Sequence, residues 1–270
     1  MKKIVVAVDI TSASRNTMEY AAQLGKVLGA EIHLLHVYTE PMPVSAGPTP
    51  WTHIPSPKLT VHQASINKAV AYLKEKFAIA VNGSVVTGYK SDSIKEAAAD
   101  LQADLIVMGM KSGKRNKILG STALKMIRKT TLPVLIVPEE TRYEPLKNII
   151  LAIDFKESAN SPGFEPLFEI VKAFNASLRV LHVEEKGADL KASEVPGKLQ
   201  LGRILSKVNY EYDKAEFDTI ETGILNFVRD HPADLLVMVA HHHNLIERLS
   251  GPFHTQAISL ELKLPLLVLK

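Results

Sequence analysis

The sequence predicts two tandem α/β domains, each a doubly wound, five-stranded parallel sheet. Three observations predict it. Segments of the first half recur in the same order in the second. The apolar runs are short and rich in valine and isoleucine, the habit of strands covered on both faces. Helical patterns with start and stop signals lie between those runs.

Lys3-Ile4-Val5-Val6-Ala7-Val8-Asp9 is matched by Asn148-Ile149-Ile150-Leu151-Ala152-Ile153-Asp154. Leu34-Leu35-His36-Val37 is matched by Val180-Leu181-His182-Val183. Ala103-Asp104-Leu105-Ile106-Val107-Met108 is matched by Ala233-Asp234-Leu235-Leu236-Val237-Met238, and Leu132-Pro133-Val134-Leu135-Ile136-Val137 by Leu264-Pro265-Leu266-Leu267-Val268-Leu269. Two copies are too few for a solenoid, and each is the size of a small domain. The expected domains are 1–140 and 145–270. Between them Glu139-Glu140-Thr141-Arg142-Tyr143-Glu144-Pro145 is charged and ends in proline, as a linker should.

Within the first copy, Ser12-Ala13-Ser14 offers a cap for a helix through Met18, Ala21, Leu24 and Leu28, which Gly29 ends. Residues 65–77 read as a second helix, with Ala69, Leu73 and Phe77 on one face. Ser91-Asp92-Ser93 can cap a third over 94–101, and 121–129 make a fourth. The order is β-α-β-α-β-α-β-α-β, an open parallel sheet with helices on both faces. The proline-rich residues 41–57 read as a long surface loop.

Composition narrows the class. A length of 270 residues fits one large or two small domains, at roughly 150 residues each. The hydrophobic share of 46% and charged share of 23% are those of an ordinary globular protein. Cysteine is absent, which excludes disulfides, thiolate metal sites and a cysteine nucleophile and fits a reducing compartment. The net charge of +3 is dispersed, with no basic run interleaved with aromatics, so no nucleic-acid partner is expected. No apolar stretch approaches the roughly 18 residues of a membrane helix. The apolar run after Met1-Lys2-Lys3 is too short for a signal peptide and is closed by Asp9.

In open α/β sheets ligands bind beyond the carboxyl ends of the strands. Asp9 is placed at the end of the first strand and Val37 at the end of the second. The fourth strand runs into Met108-Gly109-Met110-Lys111-Ser112-Gly113-Lys114-Arg115-Asn116-Lys117-Ile118-Leu119-Gly120-Ser121-Thr122, which opens a helix. Glycine lets a backbone approach a phosphate. Free N–H groups at a helix start, with the Ser121 and Thr122 hydroxyls beside them, favour an anion. The lysines and Arg115 either add to that field or only solvate a loop.

Taken together, these motifs resemble those of the bacterial universal stress proteins in a tandem arrangement. The resemblance covers almost the whole chain, with 41–57 and 187–202 matching least. It implies the adenine nucleotide α-hydrolase-like version of the fold. It also implies a cytoplasmic stress-response protein, not an enzyme, whose two halves pack as an intramolecular pseudo-dimer through their last strands. In nucleotide-binding members the counterpart of Asp9 lies near adenine and ribose, and that of Val37 packs on the adenine. The counterparts of Met108 and Gly109 approach ribose and phosphates, and those of Gly120, Ser121 and Thr122 hold phosphate oxygens. ATP is the ligand implied for domain 1.

The chain departs from the family's glycine signature of glycine, two residues, glycine, nine residues, glycine, then serine or threonine. Gly109 and Gly120 stand two residues closer than that pattern. Ser112 occupies the middle glycine position, with Gly113 one place late. The second copy departs further, with Val239-Ala240-His241-His242-His243 in place of the glycine stretch and Gly251-Pro252 in place of Gly120-Ser121. Proline has no N–H to offer, so this copy is not expected to bind ATP in the family's manner.

Plainer roles stand beside these. Asp9 and Asp154 can serve as turn and cap residues. His36 and His182 suit buried hydrogen bonds, and Met108 and Met238 suit the core. His241, His243 and His254 are the metal candidates, but adjacent histidines lack the spacing of a helical zinc motif. Three readings stay open: a protein that binds an adenine nucleotide, a tandem protein without ATP acting as an interaction or metal- or small-ligand-responsive module, and a weak ATPase. A protein partner and a further homo-oligomer leave no readable motif.

Overall fold

The computed structural model describes residues 1–11, 13–39, 57–110, 121–153, 163–186, 195–239 and 263–270. In the first copy the elements run β1 (Lys3–Ala7), α1 (Ala13–Leu28), β2 (Glu31–Tyr38), α2 (Pro57–Phe77), β3 (Val81–Thr87), α3 (Lys90–Asp100), β4 (Leu105–Met110), α4 (Ser121–Lys129) and β5 (Val134–Pro138). The second copy follows with β6 (Asn148–Ala152), α5 (Glu165–Phe174), β7 (Ser177–Glu185), α6 (Val195–Leu205), β8 (Glu211–Phe217), α7 (Ile220–Asp230), β9 (Leu235–Val239) and β10 (Leu266–Leu269).

Each half is parallel, in the order β3-β2-β1-β4-β5 and, in mirror sequence, β10-β9-β6-β7-β8. The halves join where β5 pairs antiparallel with β10, Leu135 opposite Leu267, so ten strands make one sheet. This is the expected contact between the last strands. Alternation in β1 explains the two-sided core. Ile4 and Val6 face the cluster that holds Tyr20, Leu24 and Leu73, while Val5 faces the one that holds Ile94, Met126 and Ile127. Both clusters continue into the second copy, so the seam is apolar above and below the sheet.

The repeated segments have physical reasons. Asp104 Oδ2 accepts from the backbone N–H groups of Lys2 and Lys3 at 2.5 and 2.9 Å. Asp234 Oδ2 does the same for Lys147 and Asn148 at 2.7 and 2.8 Å. Each aspartate therefore satisfies the N–H groups where its copy's first strand begins. His36 Nδ1 donates to the Val8 carbonyl at 2.8 Å, and His182 Nδ1 to the Ile153 carbonyl at 3.1 Å. These buried rings hold the ends of their first strands, the structural role expected of them.

Two helix starts differ from the sequence expectation. α2 begins at Pro57, eight residues before 65, because proline's fixed φ and missing N–H suit the first helical position. α3 begins at Lys90, so Ser91-Asp92-Ser93 lie inside it and Tyr89, with no side-chain cap, precedes it. Asp92 is committed to Lys129 of α4, Nζ to Oδ1 at 2.6 Å. α1 ends as predicted, with Gly29 at φ +65°, a conformation glycine takes without strain. Among the described residues no helix is long and apolar enough to cross a membrane.

α1 is fastened to α2 by one carboxylate. Glu19 accepts from Tyr72 Oη at 2.6 Å, from Lys76 Nζ at 2.9 Å and from Arg15 Nε at 2.9 Å. Partial burial alone would raise its pKa, but these three donors outweigh that and lower it to about 2. The folded value lies below the unfolded one. The contribution is therefore full above the ordinary carboxylate range, and is lost as pH falls from about 5 toward 2. The stability of the wild type to denaturant is expected to fall over that window, and Glu19→Gln to make the fall smaller; an unaltered slope in the variant would contradict this role.

Candidate functional site

The strand order reverses between β1 and β4, and a crevice opens there on the carboxyl edge of the first copy. Its volume is about 270 Å³, near the lower end of small-molecule sites. Leu35, Val37, Ile94, Met108 and Ala123 supply an apolar surface, and Asp9, Ser14, Thr17, Lys90, Thr122 and Glu139 the polar groups. Asp9, Val37, Met108, Gly109 and Thr122, separated widely in sequence, thus line one cavity.

Each arrives there for a local reason. β1 stops at Ala7, and the chain turns at Asp9, whose N–H donates to Ser14 Oγ at 3.0 Å. Asp9 therefore lies two residues past the strand instead of ending it. Val37 is near the end of β2, paired with Val86 of β3. Met108 and Gly109 belong to β4, which continues to Met110 rather than closing at Gly109. Gly109 has a packing reason to be glycine: a Cβ there would stand 2.5 Å from Thr17 Oγ1. Thr17 is buried on α1, so the helix lies directly against the β4 backbone. Thr122 sits in the first turn of α4, which Ser121 opens.

Ser112, Gly113 and Gly120 lie outside the described residues, as does the side chain of Ser121. The metal candidates His241, His243 and His254, together with Asp154, lie outside them as well.

Sequence reasoning missed Thr17, Lys90 and Glu139. Lys90 opens α3 and reaches across the mouth, its Nζ donating to Asp9 Oδ1 at 3.1 Å. The partners are 81 positions apart, and only the order of strands brings them together. Glu139 follows β5, where its N–H donates to the Met110 carbonyl at 2.8 Å. The linker then lies against α1. Asn16 Nδ2 donates to the Thr141 carbonyl at 2.7 Å and to that of Pro138 at 3.3 Å. Arg142 donates to Asn16 Oδ1 at 3.1 Å. Beyond it, Thr141 Oγ1 donates to the Lys263 carbonyl, and Lys263 pairs with Glu140 at 2.6 Å. α1 thus carries cleft residues, Ser14 and Thr17, and the residue that holds the linker, Asn16.

In the second copy Val183 is the counterpart of Val37. A Cβ built on Gly223 of α7 would press on Val183 and stand 3.1 Å from Phe217 Cδ2. The start of α7 therefore lies against Val183 and beside Phe217, in the cluster that contains Val183 and Ile224.

Fold and cleft together define a class: a tandem, doubly wound α/β protein with a small, partly apolar crevice at the switch point of its first half. The model of the universal stress protein family matches the chain twice, over residues 1–138 and 145–270. The chain belongs to the universal stress protein family. A universal stress protein of Methanocaldococcus jannaschii is 30% identical over 139 residues, covering 50% of this chain and 81% of that protein. One from Bacillus subtilis is 28% identical over 144 residues, covering 50% of this chain and 97% of that protein. Among solved structures, a universal stress protein from Archaeoglobus fulgidus superposes with a TM-score of 0.70 at 18% identity, covering 99% of this chain and 98% of that one. At that identity the likeness speaks for the fold.

Proposed function

We propose that the first copy, 1–140, binds an adenine nucleotide in the switch-point crevice. The second, 145–270, then serves as a supporting or regulatory half. The observation that carries this reading is the convergence of three chemistries in one cavity. Val37, Ile94 and Met108 offer apolar surface for a flat base. Asp9 offers a carboxylate beyond the carboxyl end of β1, able to accept hydrogen bonds from ribose hydroxyls. Thr122, in the first turn of α4, stands where N–H groups without helical partners attract phosphate. Ser112, Gly113, Gly120 and Ser121 are the further candidates for the phosphate end.

The second copy is assigned the other role because the start of α7 lies against Val183, the counterpart of Val37. Its sequence also places Pro252 where a backbone donor would be needed. A ligand transmits information only if it favours one conformation over another. The Asn16 contacts with the linker give α1 a route from cleft to seam.

Calorimetry of the full chain with adenosine, AMP, ADP and ATP tests the proposal. Binding of one adenine nucleotide per chain is expected, and Asp9→Ala should weaken it about tenfold, the loss of one charged hydrogen-bond acceptor. No heat with any of the four at millimolar concentration would overturn the reading.

A further inference from the structure

We propose that Lys90 sets the charge the cleft tolerates: by neutralising Asp9 across the mouth, it lets the first copy accept a phosphorylated ligand and not only an uncharged one. The inference rests on the adenine-nucleotide reading and adds a selectivity residue to it. The sequence puts a lysine at the first position of α3, where a positive charge opposes the helix dipole. Helix stability therefore does not account for it. Asp92, the acidic residue in that first turn, is taken by Lys129 at 2.6 Å.

What Lys90 does instead is cross the cleft. Its Nζ lies 3.1 Å from Asp9 Oδ1, joining the α3 side of the mouth to the β1 side. Among the described residues that line the cleft it is the one cation, and it shares the cavity with two carboxylates, Asp9 and Glu139. Both members of the ion pair are close to half exposed, at 47% and 43%. Such a pair contributes little to stability, so it can rearrange around a ligand at small cost. Its effect is on the field inside the cleft. Loss of the Lys90 charge would make the cleft more negative and repel an entering phosphate, more strongly as the ligand's charge grows. Adenosine, which carries no charge, would be indifferent to Lys90.

The test is the dependence of affinity on ligand charge, measured by calorimetry at about 0.1 M salt, where charges within about 10 Å still interact. Adenosine, AMP, ADP and ATP are titrated into the wild type, Lys90→Gln, Lys90→Arg and the double variant Asp9→Asn/Lys90→Gln. For Lys90→Gln, adenosine should change less than about twofold while ATP weakens about tenfold, with AMP and ADP between. Lys90→Arg should keep the wild-type order. The double variant should bind all four more weakly but recover the wild-type slope with charge. Equal losses for adenosine and ATP in Lys90→Gln, or no loss for either, would overturn the role of Lys90 and leave the adenine site standing. A wild type that binds none of the four would overturn the site itself and the selectivity with it.

Discussion

A side chain at Gly109 is expected to abolish ligand binding and to destabilise the first copy. A Cβ at this position would stand 2.5 Å from Thr17 Oγ1 and 3.5 Å from Thr17 Cβ. The neighbour cannot turn away freely. Thr17 is 2% exposed, lies on α1 and carries a β-branched side chain with restricted rotamers. Adding the isopropyl group of valine must push α1 from β4 or bend the strand, and overpacking of this kind costs about 2 kcal/mol. The same displacement shifts Ser14 and Thr17 within the cleft and brings bulk to its lining. Gly109→Val should therefore lose at least about a hundredfold in nucleotide affinity, close to 3 kcal/mol. Denaturation of Gly109→Ala and of Gly109→Ala/Thr17→Ala separates the two effects. The second variant should regain stability relative to the first, since the clash is with the threonine. If Gly109→Ala is as stable as wild type and binds equally well, the packing described between α1 and β4 is wrong.

A charge in the seam should have the largest effect on stability. Leu267 is fully buried in β10, opposite Leu135 of β5, in the strand pair that makes two sheets into one. Carboxylate burial without a partner is among the few changes that cost a domain more than about 4 kcal/mol. Leu267→Asp is expected to unfold with a much lower midpoint and in two steps, because cooperativity between the copies depends on that pair and on the apolar layers above and below it. Leu267→Val, which keeps the apolar character, should cost about 1 kcal/mol. A single transition for Leu267→Asp, moved by less than that of Leu267→Val, would show that the seam does not hold the halves together.

The fold was legible because both copies solve the same problems with the same residues. The Ala-Asp-Leu segments recur because each aspartate satisfies the first N–H groups of its copy's leading strand, as Asp104 and Asp234 do. The Leu-His-Val segments recur because His36 and His182 tie one strand end to the next. Short valine and isoleucine runs announced strands buried on both faces, and alternate residues of β1 do enter opposite clusters. Local rules gave way where two uses of one residue type compete. Pro57 closes a proline-rich stretch that suits a loop, yet proline is equally at home at a helix start. Ser91 and Asp92 had the chemistry of caps, but Ser91 is buried and Asp92 pairs with another helix.

The cleft was legible only as far as strand ends can be read. Asp9, Val37 and Met108 follow from the rule that ligands lie beyond the carboxyl edge, which needs no knowledge of side-chain reach. Thr17 was hidden because its position on a helix face matters only once α1 lies on β4. Lys90 and Glu139 were hidden because their approach to the cleft depends on which strands are neighbours. Lys90 gives no local signal in the sequence, because it opposes a helix dipole only once α3 is seen to begin there and not at 94. Gly109 suits close approach to a ligand, and its packing against Thr17 is a second reason for glycine.

A crystal structure of the full chain grown with an adenine nucleotide shows whether the switch-point crevice of the first copy is the binding site. One nucleotide per chain is expected, its base on Val37 and Met108, its ribose at Asp9 and its phosphates beside Thr122. A nucleotide seated in the second copy, or bound to the first with its base away from the β2 and β4 strand ends, would contradict it.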